Sequence, residues 1–176
     1  MSLSDKKIAI LAEDGYEDLE LWYPKFRLEE EGAKTIVLAK GKKVAFSKHG
    51  YEVRVDQDIT KSKIDDFDGV IVPGGIQGPD RLRRHQEIVD FVRDMGLKGK
   101  LVAAICHGPW LLISAELTKG KKMTCFFSIK DDLINSGAIY HDNAVVVDGG
   151  FVTSRKPEDL PEFCKAIIKI LHNQSI

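Results

Sequence analysis

What the sequence has little of narrows the reading first. It holds only three cysteines in 176 residues, Cys106, Cys125 and Cys164. They are odd in number and far apart, which excludes a disulfide framework, and no Cys-x-x-Cys suggests a metal knuckle. No apolar run approaches a membrane span, and the start, Met1-Ser2-Leu3-Ser4-Asp5-Lys6-Lys7, lacks the apolar core of a signal peptide. Charge of one sign is also missing. With 26 basic and 27 acidic residues, mixed along the chain, there is no electrostatic case for a nucleic-acid or membrane partner. Repeats, low-complexity tracts and linkers are absent. A single cytoplasmic domain in a reducing compartment is expected, residues 1–176, long enough to bury a full core.

What is present is an alternation of apolar strands and helical stretches. Lys7 to Ala12, Thr35 to Ala39, Asp68 to Val72 and Leu101 to Ile105 read as buried strands. A helix is expected from about Glu17 to Glu31, with Leu19, Trp22, Phe26 and Leu28 on its apolar face. Pro24 inside it should kink or break it, and Gly32 should end it. A second helix is expected from Asp80 to Met95, a third over Trp110 to Leu117, a short one over Ile129 to Ser136, and a last one from near Pro161. Val44 to Val55 reads as a hairpin excursion. Asp148-Gly149-Gly150 joins two short strands as a hairpin turn. Near-continuous apolar strands alternating with helices imply an α/β fold whose mainly parallel sheet carries helices on both faces.

The chemistry concentrates at Cys106. The apolar strand ending at Ile105 runs into Cys106-His107-Gly108-Pro109 and then an apolar helix. A cysteine between strand and helix sits at a sharp turn, as in a nucleophile elbow. Amides at the helix start favour an anion, so a lowered thiol pKa is expected. In such a sheet ligands bind beyond the carboxyl ends of the strands. Three of those ends carry notable residues: Glu13 to Asp18, Pro73-Gly74-Gly75, and Cys106-His107. The Gly74-Gly75 amides and the His107 amide are placed to hold a carbonyl oxygen. Glu17 could reach the thiol and share its proton, or serve only as an acid at a helix start. His107 is the candidate base, although its amide is its surer contribution. His49, His85, His141 and His172 read as solvated and fit no metal-ligand spacing. No metal or cofactor is expected, and Cys125 and Cys164 read as structural.

These pieces resemble a known group. Tyr16-Glu17-Asp18-Leu19-Glu20-Leu21 with Tyr23-Pro24, Val72-Pro73-Gly74-Gly75, Ala104-Ile105-Cys106-His107-Gly108-Pro109, Ile129 to Asn135, Val147-Asp148-Gly149 and Thr153-Ser154-Arg155 are similar to the PfpI family of intracellular cysteine peptidases and deglycases, in the class I glutamine amidotransferase-like superfamily. The resemblance spans essentially the whole chain. It implies a flavodoxin-like three-layer sandwich, Cys106 as nucleophile, Glu17 as its carboxyl partner, and an oxyanion hole from the Gly75 and His107 amides. It also implies a triad of Cys106, His107 and Asp80, the acid coming from a neighbouring subunit, so that a homo-oligomer completes the site. By the same resemblance, some members carry Glu at the position of Asp80, and the loop Ile76-Gln77-Gly78-Pro79 looks one residue longer than in those members. Glutamine amidotransferase chemistry is disfavoured, because Arg155-Lys156-Pro157-Glu158 stands where a histidine would be wanted. Three functions follow: an enzyme on reactive carbonyls of glyoxalase or protein-deglycase type, taking a small aldehyde or glycated protein; a peptidase; or a sensor of redox stress through Cys106 oxidation.

Overall fold

The computed structural model describes residues 2–173. Strands β1 (Lys7–Leu11), β2 (Lys34–Ala39), β3 (Val44–Phe46), β4 (Glu52–Arg54), β5 (Gln57–Asp58), β6 (Gly69–Val72), β7 (Leu101–Ile105), β8 (Lys122–Met123), β9 (Ile139–Tyr140), β10 (Val145–Asp148) and β11 (Phe151–Ser154) alternate with helices α1 (Asp18–Glu30), α2 (Gln77–Leu82), α3 (Gln86–Leu97), α4 (Pro109–Ser114), α5 (Lys130–Asn135) and α6 (Leu160–Asn173). Among the described residues, seven strands form the main sheet in the order β10-β11-β7-β6-β1-β2-β5. Every pairing in it is parallel except β10 with β11. β3 and β4 form the separate antiparallel hairpin expected over Val44 to Val55.

The central strands divide their side chains by the two-residue period of a strand. Ala9, Leu11, Val70, Val72, Val102 and Ala104 face a core closed by α3, α4 and α5. Ile8, Ile10, Ile71, Ala103 and Ile105 face the opposite core, closed by α1 and α6. This is the expected three-layer, flavodoxin-like arrangement. From β1 the chain moves outward to β2, and it returns on the other side of β1 with β6. That reversal opens a crevice beyond the carboxyl ends of β1, β6 and β7, and the three notable loops leave from it.

The helices depart from expectation in three places. α1 is unbroken at Pro24, and the residues it buries are Glu20, Leu21, Pro24 and Leu28. Leu19 and Phe26, expected on the apolar face, are 55% and 58% exposed. Spacing of four residues carries 20, 24 and 28 along one face, so the helix is turned from the apolar stripe by a buried carboxyl group. The helix expected from Asp80 to Met95 is two helices, α2 and α3, separated at His85, whose extended backbone starts the second. They pack differently: α2 against α4, and α3 against β6 and β7 as well. α4 stops at Ser114, short of Leu117, because Glu116 takes a left-handed backbone with φ of 58°.

Phe163 of α6 is fully buried against the β-sheet face it shares with α1. Phe163→Ala is expected to cost about 3–5 kcal/mol by removing packed volume that the core cannot refill, measured as a fall in urea midpoint at unchanged m-value.

Candidate active site

Cys106 follows directly on β7 with φ of 83°, a conformation that side-chain-bearing residues rarely adopt. The elbow is held from all sides. The Cys106 N–H donates to the Ser154 carbonyl at 3.1 Å, and the Phe126 N–H donates to the Cys106 carbonyl at 2.9 Å. Gly108 leaves no room for a side chain, since a Cβ there would lie 2.6 Å from the Val72 carbonyl oxygen. Strain of this kind survives only where surrounding contacts over-determine it.

The carboxyl group at the thiol is Glu20. Glu17, expected in that part, does line the same cavity. However, its Oε2 accepts the Glu20 N–H at 2.9 Å as the N-cap of α1, and Oε1 lies 3.5 Å from Lys48 Nζ. Glu20 sits one turn on, fully buried. Its Oε2 accepts the Gly74 N–H at 2.8 Å. Oε1 has no hydrogen-bond partner among the described residues, and the carboxyl and the Cys106 thiol shift each other's pKa. Gly74 is what lets these groups meet. A Cβ there would stand 2.3 Å from Glu20 Oε2 and 2.5 Å from Cys106 Cβ.

Burial, reinforced by the Glu17 charge, raises the Glu20 pKa to about 8, so this carboxyl carries its proton at neutral pH. Burial, and then Glu20 itself, raises the Cys106 thiol well above its ordinary value. The lowered thiol pKa expected from the helix start is therefore corrected. α4 has only six residues, and desolvation outweighs the weak dipole of so short a helix. The Gly75 and His107 amides act in the other direction and favour the charged form of the sulfur.

His107 is brought to the thiol by its ring as well as its backbone. Nδ1 stands 3.2 Å from Sγ, and Nε2 stands 3.2 Å from Ser128 Oγ. The ring stacks on Phe126 at 5.1 Å and meets the edge of Trp110 at 5.2 Å. Burial, followed by the Lys48 charge, lowers its pKa. It is a neutral imidazole, and with its proton on Nε2 facing Ser128, Nδ1 is free to accept from the thiol. Asp80 is not at His107 within the chain. A turn of α2 pairs Asp80 with Arg84 and faces it into a different groove with Arg83, Trp110 and Asp132.

The cavity holding these groups is about 410 Å³, lined also by Gly15, Ile76, Gln77 and Pro157. Among the described residues no group of three or more histidines, cysteines or acids could hold a metal, and no helix is long and apolar enough to cross a membrane. Cys125 and Cys164 are buried and unbridged. Sequence reasoning passed over Glu20, although its four-residue spacing to Pro24 and Leu28 was a usable signal. Ser128 carried none, since a distant turn delivers it through the Phe126 backbone.

Fold and site together define a protein with a cysteine at a left-handed strand-to-helix elbow, built at the switch point of a flavodoxin-like sheet. The chain belongs to the DJ-1/PfpI family, whose model matches residues 6–170. It is 44% identical to the protein named deglycase PfpI from Pyrococcus furiosus over 94% of this chain and 99% of that one. It is 41% identical to protein/nucleic acid deglycase 2 from Escherichia coli, over 94% and 98%. A solved two-domain protein from Anabaena variabilis, with DJ-1/ThiJ/PfpI-like and ferritin-like domains, superposes with a TM-score of 0.91 at 42% identity. That match covers 95% of this chain and 48% of the other. These names support an enzyme of deglycase type.

Glu20 binds its proton more tightly folded than unfolded, from an ordinary 4.5 to about 8. The unfolded chain thus holds fewer protons between those values, and stability falls as pH rises through that window. Glu20→Gln is expected to flatten that part of the stability curve and to raise the urea midpoint at pH 8 relative to the parent. An unchanged slope would contradict a protonated Glu20.

Proposed function

We propose that the chain is a cysteine-dependent enzyme on reactive carbonyls, of glyoxalase or deglycase type. The observation that carries this reading is the buried Glu20 carboxyl, protonated at neutral pH and placed against Cys106 in a small cavity. With the carboxyl neutral, the main charge opposing thiolate formation is gone, and its O–H is available to the incoming carbonyl oxygen.

With a 2-oxoaldehyde, His107 Nδ1 takes the thiol proton as the Sγ–carbon bond forms at the aldehyde. The oxygen that gains charge is held by the Gly75 and His107 N–H groups and takes its proton from Glu20. Glu20, now a carboxylate, moves the hydrogen from that carbon to the neighbouring carbonyl carbon, the neighbouring oxygen takes the proton held by His107, and the first oxygen gives its proton back to Glu20, leaving a 2-hydroxy thioester. Water attacks the thioester, the carbon–sulfur bond breaks, and a 2-hydroxy acid departs with the thiol restored. Glu20 thus takes the part expected of Glu17, whose oxygens are occupied by the cap and by Lys48.

Peptide cleavage remains a second reading because of the 3.2 Å thiol–imidazole contact. It requires His107 to protonate a leaving amine, and so an acid behind the ring. Within the chain that place is held by the neutral Ser128. In that reading the partner subunit's Asp80 supplies the acid across a homo-oligomer interface. A redox-sensing role gains no support from a thiol held protonated.

Conversion of methylglyoxal to lactate by the purified protein tests the carbonyl reading. Cys106→Ser is expected to abolish it, and Glu20→Gln to lower kcat by about a hundredfold or more. Parent turnover should decline above pH 8 as Glu20 ionises in the free enzyme. Turnover that survives loss of the sulfur would sink the reading. Asp80→Ala should reduce cleavage of fluorogenic peptides more than aldehyde turnover, and equal loss of both would reverse this division of roles.

A further inference from the structure

Lys48 has no part in the steps above, yet it lines the reaction cavity, and among the described residues it is the one lysine or arginine that does. Its backbone is fixed while its side chain is left loose. The Lys48 N–H donates to the Tyr16 carbonyl at 2.8 Å, beside the start of α1. The neighbouring Ser47 Oγ donates to Asp18 Oδ1 at 2.6 Å and accepts the N–H groups of His49 and Tyr51 at 3.2 and 2.9 Å. The turn between β3 and β4 is in this way tied to the helix that carries Glu20. The Lys48 side chain is 46% exposed, and its recorded ion pair is a long one, 3.5 Å to Glu17 Oε1. Glu17 in turn is committed through Oε2 to the helix cap. The ammonium group acts on the site, since its charge also reaches His107 and Glu20.

The rest of the cavity offers an anion no opposition except Glu17. Glu20 is neutral, His107 is neutral, and the Gly75 and His107 amides present N–H groups. We infer that Lys48 is a specificity residue that gives the pocket a preference for electrophiles carrying a carboxylate, with Glu17 restraining that preference by competing for the ammonium. The substrate class is then a 2-oxoaldehyde with an anionic tail, for which 4,5-dioxopentanoate is a direct probe. Its turnover adds one water and yields 2-hydroxyglutarate, by the same steps that turn methylglyoxal into lactate. The substrate class rests on the carbonyl reading; the charge preference does not.

The first measurement therefore avoids turnover. Cys106 is alkylated by iodoacetate and by iodoacetamide, and the two rates are taken as a ratio, with labelling at Cys106 verified by mass spectrometry. Any change in thiolate fraction cancels in that ratio. Lys48→Met is expected to lower it about tenfold, the size of a rim charge acting on an anion. Lys48→Arg should restore it, and added salt should shrink the difference. Glu17→Gln, which releases the ammonium, should move the ratio upward. A ratio indifferent to Lys48→Met and to Glu17→Gln would overturn the inference. The second measurement compares kcat/KM for 4,5-dioxopentanoate and methylglyoxal in the same variants. A ratio that follows Lys48 with neither aldehyde turned over would leave the anion preference standing and remove the carbonyl reading.

Discussion

The site depends on one close approach, that of the Glu20 carboxyl, the Gly74 backbone and the Cys106 elbow. No two of these can be placed without the third. The buried Glu20 carboxyl is received by the Gly74 N–H. Gly74 can stand there only because it has no side chain to strike either neighbour. Cys106 keeps its left-handed backbone because β11 and the Phe126 segment grip it by hydrogen bonds. The orientation of α1, the turn after β6 and the end of β7 are thereby tied to a single contact. The unbroken course of α1 past Pro24 belongs to the same arrangement, since the face that buries Glu20 also buries Pro24 and Leu28.

Electrostatics at this contact run opposite to the usual picture of an activated cysteine. A thiol is ordinarily activated by nearby positive charge and a helix start. Here desolvation dominates and both acidic groups hold their protons. In the proposed chemistry the Gly75 and His107 amides and the neutral Nδ1 of His107 provide for the charge once it forms, rather than forming it in advance. The proposed use of the thiol on carbonyl carbon, with protons passing between sulfur, carboxyl and substrate, is in keeping with relatives named deglycases.

Much of this was legible in the residues. Apolar strands of about five residues separated by helical stretches led to the parallel sheet, and topology led to the convergence of the loops after β1, β6 and β7. Cys106, Gly75 and His107 line one cavity. The error at Glu17 has a definite cause. A carboxyl at a helix start and one a turn later look alike in sequence, and only burial separates the cap from the thiol partner. The phase of α1 was misread for the same reason, because Leu19, Trp22 and Phe26 form a plausible apolar stripe while the buried face contains an acid. The break between α2 and α3 followed from two packing surfaces, which an uninterrupted apolar pattern does not reveal. Ser128 reaches His107 through a backbone contact between residues twenty apart, and local sequence has no access to that.

The paired protons of Cys106 and Glu20 also bear on how the protein survives between encounters. A standing thiolate is open to every alkylating agent and peroxide that diffuses past. A neutral sulfur beside a neutral acid, in a pocket walled by Phe126 and by the Trp110-flanked imidazole, is chemically quiet. Under the proposed mechanism it stays so until a molecule arrives that can accept the sulfur's electrons and the carboxyl's proton together. Among reactive electrophiles, such a resting state would make the arrival of the carbonyl proposed as substrate, rather than the ambient chemistry, the event that wakes the thiol.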